Sequence, residues 1–182
     1  YILEEVQRSL KERGIQVRIF PETGIVRLPE SILFESGEAV LSSQGRQAVQ
    51  VLAAALRPLL PCFAVLAATA ELPAMVCPAD RYGRLEAVFI EGHTDNRPIA
   101  SGRWRSNWEL SAARGIATYD ALTGALPMLR QLKNDRGETL LGVSGYGENR
   151  PAASNDSDDG RRANRRIDLR FLMASPQRTD TP

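Results

Sequence analysis

Apolar residues recur every fourth position in the opening segment YILEEVQRSLKER, at Ile2, Val6 and Leu10. That spacing predicts a helix over 1–13, stopped by Gly14. IQVRIF (15–20) then alternates apolar and polar positions, PETG (21–24) is a turn, and IVRLP (25–29) is a second short run. Two such runs around a turn predict a hairpin. Residues 31–45 are rich in small polar residues and read as a connecting loop. A helix is expected from Ser43 to Leu60, with Val49, Leu52, Ala53 and Leu56 on one face, a serine cap at Ser42 or Ser43, and Pro58 and Pro61 at its end.

Residues 61–83 exceed an ordinary connection and read as an insertion with its own structure. RLEAVFIEG (84–92) has a continuous apolar centre, as a strand buried on both faces does. After a polar loop, Ser106 and Glu109 form a capping-box pattern that starts a helix running to about Leu122, with Leu110, Ala113, Ala117 and Ala121 expected on its buried face. LLGVSG (140–145) and RRIDLRFLM (165–173) read as strands, separated by a turn-rich loop. The tail from Ala174 is polar and expected to be disordered. This order predicts a two-layer α/β sandwich, a mixed sheet with helices on one face.

A chain of 182 residues, 43% hydrophobic and 25% charged, can bury one core. Its net charge of +1 sets up no field for nucleic acid. The basic cluster RRANRR (161–166) reads as a solvated strand entry with ion pairs, and no phosphate-binding glycine motif precedes a helix. No run approaches the roughly 20 apolar residues of a membrane-spanning helix. The two cysteines, Cys62 and Cys77, are either buried thiols or a disulfide closing the insertion.

The candidate chemistry gathers at FIEGHTDNRPI (89–99), where a strand ends in a polar cluster holding His93, the chain's one histidine. His93 and Asp95 give too few ligands for a metal site, so no metal or other cofactor is expected, and His93 reads as a packing or hydrogen-bonding residue. Ser144 lacks nucleophile-elbow spacing, and arginines near Asp95 would keep it ionised and unfit as the acid of a Glu91–Asp95 carboxylate pair. A binding pocket uses the residues better. Asn107, Leu110 and Arg114 share one helix face near Asp95. An arginine can grip a carboxylate and an aspartate an ammonium, so the pair would recognise a zwitterion. A direct Asp95–Arg114 ion pair is the competing reading.

Three segments in order, GHTDNRPI, SNWELSAARG and GVSGYGENRPAASNDSDDGRRANRRIDLRF, resemble the OmpA-like peptidoglycan-binding domain in its MotB-like branch. The resemblance implies an OmpA-like sandwich over 15–173, and non-enzymatic binding of the diaminopimelate of the wall peptide. It assigns Asp95 to the ammonium and Arg114 to the carboxylate. Asn107, Leu110 and Thr94 would line the pocket, and Arg165 would support the loop or the ligand. Gly115 stands where the family has a residue such as alanine, which is expected only to loosen the helix. The resemblance further implies a periplasmic domain and hence a Cys62–Cys77 disulfide. It reads 1–14 as the end of a linker from an upstream membrane helix, through which a MotA-like channel subunit would be partnered, and implies a homodimer. The cysteine-bearing insertion is similar to that of stator-like subunits of phage-defence systems. An outer-membrane wall anchor, or a dimerisation module without wall binding, is the alternative.

Overall fold

The computed structural model describes residues 1–66, 77, 84–99 and 103–175. The expected disordered tail beyond Ser175 and most of the insertion lie outside the described residues. The chain runs through helix α1 (Ile2–Glu12), strands β1 (Arg18–Phe20) and β2 (Ile25–Pro29), the single-turn helix α2 (Glu30–Leu33) and helix α3 (Ser43–Leu56). It continues with β3 (Val65–Leu66), β4 (Leu85–His93), helix α4 (Asn107–Ala125), β5 (Leu132–Lys133), β6 (Leu141–Gly145), helix α5 (Asp158–Asn164) and β7 (Arg166–Met173). Five strands form a mixed sheet in the order β1-β2-β7-β4-β6. The β4–β6 pairing is parallel and the others are antiparallel.

Alternation along the strands decides the two faces. Val26, Leu28, Val88, Ile90, Ile167, Leu169 and Phe171 turn into the core with Leu52 and Leu56 of α3 and Leu122 of α4. Arg27, Glu91, Arg166, Asp168 and Arg170 take the alternate positions. The architecture is thus the expected α/β sandwich. Helix α1 buries Ile2, Val6 and Leu10 in the same core, and Gly14 leaves it at φ +75°. No helix among the described residues is long and apolar enough to cross a membrane.

Several local expectations need correction. The segment 31–45 is not a plain loop: α2 opens it at Glu30, and Phe34 pairs with Leu41. Its apolar residues come in two short runs, 32–34 and 39–41, that follow neither a helical nor a strand period, yet Leu33, Phe34 and Leu41 are buried. The loop after β6 contains α5, capped by Ser157, whose hydroxyl accepts from Gly160 N at 3.1 Å. Arg161 and Arg162 therefore stand on a helix, each paired with an aspartate three residues earlier. Helix α3 ends at Leu56, short of Leu60.

The buried face of α4 is rotated from the expected alanines. Ser111, Arg114, Gly115, Thr118 and Leu122 are buried, while Ala113, Ala117 and Ala121 are half-buried. The cause is close approach to the sheet. A Cβ on Gly92 would lie 2.0 Å from Ser111 O, and one on Gly145 2.6 Å from Ala112 N. Gly115 belongs to the same contact, since a Cβ there would meet Val143 Cγ1 at 2.8 Å. It tightens the packing, contrary to the expectation that it loosens the helix. Cys62 and Cys77 form a disulfide, with Cα atoms 5.5 Å apart.

Candidate ligand pocket at the end of strand β4

Parallel pairing of β4 with β6 continues past the strand ends: Tyr146 N donates to Gly92 O at 3.0 Å, and Thr94 N to Gly147 O at 2.9 Å. Thr94 Oγ1 donates to Asp95 O at 2.9 Å. Asp95 Oδ1 accepts from Arg97 N at 3.0 Å, the two-residue turn that aspartate makes with its own backbone. The chain then continues to the start of α4. There Ser106 caps the helix by accepting from Glu109 N at 3.2 Å. Glu109 reaches back to Arg105 N at 2.7 Å, one residue before the cap. Asn107 then clamps the loop, its Nδ2 donating to Asp95 O at 3.3 Å, Arg97 O at 3.0 Å and Glu148 Oε2 at 2.9 Å.

One turn on lies Leu110, and one further turn reaches Arg114, which is 2% exposed. Its Nε donates to Glu38 O at 2.7 Å, and its Nη2 to Glu30 Oε1 and, at 3.4 Å, to Glu35 O. Arg114 thus ties α4 to the segment after α2, where its guanidinium also stands 5.3 Å over the Phe34 ring. Arg165, just after α5, places Nε 2.7 Å from Glu30 Oε2 and Nη1 2.6 Å from Asp95 Oδ2. The charges form a chain: Asp95, Arg165, Glu30, Arg114.

All six expected ligand residues, Thr94, Asp95, Asn107, Leu110, Arg114 and Arg165, line one cavity of about 220 Å³. The direct Asp95–Arg114 ion pair is absent, because Arg165 and Glu30 stand between them. Glu30 and Arg97 also line the cavity and were missed. No local signal marks Glu30: it is one acidic residue after a proline, and its tie to Arg114 spans 84 positions. Three guanidiniums against two carboxylates leave the cavity one positive charge. Burial pulls Arg114 below the usual arginine range, against the pull of Glu30. At Arg165 burial works the same way, but Asp95 and Glu30 together outweigh it and raise it. Both remain cations at neutral pH. The cavity therefore offers a cationic end at Arg114 and an anionic acceptor at Asp95. Arg114 Nη1 takes no part in the internal bonds.

His93 faces elsewhere. It stacks on Tyr146 with ring centroids 5.4 Å apart, and its Nε2 lies 3.7 Å from Glu91 and 3.8 Å from Asp168. Those separations exceed hydrogen-bond reach, and neither ring nitrogen has a partner. His93 is a packing residue. Glu91, His93 and Asp168 place ligand atoms within 4.8 Å of one another. Arg170 grips Glu91 at 2.8 and 2.9 Å, while Arg27 and Arg166 hold Asp168 at 2.8–2.9 Å. With three cations already on two carboxylates, a divalent ion would enter a field of its own sign.

This cluster makes the fold acid-sensitive. Burial opposes ionisation of Glu91, but the two bonds from Arg170 overcome it and hold its pKa at about 2, against 4.5 for an ordinary glutamate. Burial pushes His93 below 6.5. A depressed pKa contributes stability that is fully present above the unfolded-state value and lost as pH falls through the folded one. Both groups act in the same direction. His93 is expected to begin the loss below pH 6.5, and Glu91 to remove about 3 kcal/mol between roughly pH 5 and 2. Urea midpoints at pH 7.5, 5.5 and 3.5 should fall in that order, and the first step should shrink in His93→Gln.

The OmpA family model matches residues 79–165. Motility protein B of Bacillus subtilis is 26% identical over 98% of this chain. The chain spans 58% of that relative's length. In fold, it resembles a MotB-like protein from Desulfovibrio vulgaris, with a TM-score of 0.69, 20% identity, and coverage of 95% of this chain and 92% of that one. It also resembles the cell wall anchor of the T6SS from Pseudomonas aeruginosa, with a TM-score of 0.63, 25% identity, and coverage of 96% and 98%. Residues 79–165 thus match the OmpA family model, and the chain is similar in sequence to a motility protein B and in fold to a MotB-like protein.

Proposed function

We propose that the domain binds peptidoglycan through the diaminopimelate of the stem peptide, and so anchors a MotB-like stator complex to the cell wall. The carrying observation is the cavity itself: Asp95 and Arg114 come from separate elements and share one amino-acid-sized space. The ligand's carboxylate takes Arg114 and its ammonium takes Asp95. This is binding without catalysis. Glu91 is held ionised by Arg170 on the alternate sheet face and cannot serve as an acid beside Asp95.

Similarity to a motility protein and to a wall anchor supports the wall-bound role. The Cys62–Cys77 bridge suits an oxidising compartment, in keeping with a periplasmic domain. On this reading the partners are peptidoglycan, a second copy of the chain, and a MotA-like channel subunit in the inner membrane. A phage-defence stator, which the cysteine-bearing segment 61–83 suggests, falls within the same class. Pulldown on purified sacculi tests the reading. Wild type should sediment and Asp95→Ala should stay in solution, and equal sedimentation of the two would overturn it. Failure of wild type to sediment would leave a dimerisation module without wall binding.

A further inference from the structure

The ligand cavity does not stand alone. A second cavity of about 240 Å³ shares Glu30, Ser36 and Arg165 with it, so the Glu30–Arg165 ion pair forms the wall between two chambers. The second chamber adds Ser31, Phe34, Glu35 and Arg162. Phe34 is buried, and Ser31, Glu35 and Arg162 are exposed. Arg162 pairs with Asp159 on its own helix, and both side chains are mostly in solvent, at 63% and 91%. Such a pair is worth little and gives way to a better-placed anion. Arg162 precedes Arg165 by three residues, so it presents a second guanidinium beside the shared wall.

Resting on the reading above, we propose that this second chamber receives the stem-peptide residue joined to diaminopimelate, with its free α-carboxylate on Arg162. A ligand seated at Asp95 and Arg114 is one unit of a peptide, and the peptide has to leave the first chamber. The path over the Glu30–Arg165 wall leads to a space of one-residue size. That space has a cation at one side and, at Glu35, an acceptor for peptide N–H groups. In the stem, a γ-linked glutamate precedes diaminopimelate and carries such a carboxylate. The two chambers together would read a dipeptide, where the first alone reads one amino acid.

Titration calorimetry of the 182-residue chain separates the two claims. The probes are free meso-diaminopimelate and the tripeptide L-alanyl-γ-D-glutamyl-diaminopimelate. Wild type should bind the tripeptide about tenfold more tightly, the scale of one charge-assisted contact. Arg162→Gln should abolish that advantage while leaving diaminopimelate affinity within about twofold. Amidating the glutamate α-carboxylate should do the same on wild type. Equal binding of both probes by wild type, or an advantage that survives Arg162→Gln, overturns the second chamber and leaves the first intact. Binding of neither probe overturns both.

Discussion

Replacing Arg114 by methionine is expected to destabilise the fold by about 3 kcal/mol, within the range for breaking a buried ion pair. Arg114 and Glu30 are both buried, and Arg114 also donates to the carbonyls of Glu38 and Glu35. Methionine fills much of the volume but leaves those acceptors and Glu30 Oε1 without a donor. Arg165 stays on the other oxygen of Glu30, which keeps the loss below that of a fully abandoned charge. Glu30→Gln should cost about 2 kcal/mol, since the amide can still accept from one arginine. The double variant should lose at least 1 kcal/mol less than the sum, because the pair is one coupled unit. Urea denaturation of the four proteins gives the cycle, and strict additivity would show that the two side chains do not act together. The result also bears on any wall-binding assay. Loss of binding in an Arg114 variant mixes folding with recognition, whereas Asp95 lacks a tie to the segment after α2. That is why the sacculus test rests on Asp95.

The same contrast shows what the sequence could reveal. Asp95, Asn107, Leu110 and Arg114 lie within 20 positions and follow from a strand end, a capping box and a helical repeat, so their meeting was legible. Arg165 came only through family resemblance, and Glu30 through neither. Their link depends on β2 delivering Glu30 beside the residue that precedes β7, where Glu30 N donates to Arg165 O at 3.0 Å. Strand pairing between positions so far apart leaves no local mark. The sheet was legible from alternation in RRIDLRFLM and from the apolar run of β4. Helix α5 was not, because its seven residues include no large apolar side chain and its buried members are Gly160 and Asn164. Asn164 holds the preceding loop by accepting from Ala152 N and Ala153 N, a job that hydrophobic periodicity cannot report. The α4 face was misjudged for a related reason. Alanine marks apolarity, but the sheet here selects for the least bulk.

Gly92→Ala should therefore be among the most damaging small substitutions, costing about 3 kcal/mol, at the upper end for overpacking. Gly92 and Gly145 are register partners on β4 and β6, and together they form the shallow seat on which α4 rests. The new methyl would sit 2.0 Å from Ser111 O and 2.8 Å from Ser111 C, so backbone has to move because no side chain can swing aside. Lifting α4 would strain the Ser111 hydroxyl that accepts from Gly147 N at 2.9 Å. It would also displace Asn107, Leu110 and Arg114 from Asp95, since all three ride on the same helix. Gly124→Ala supplies the comparison within α4. A Cβ there meets nothing within 4 Å, and the change should stabilise the helix by about 0.5–1 kcal/mol. Urea midpoints moving in opposite directions would confirm that sheet contact, and not helix propensity, governs glycine along this interface. If Gly92→Ala matched wild type, α4 would not be seated on the paired glycines, and the geometry that joins Asp95 to Arg114 would lose its support.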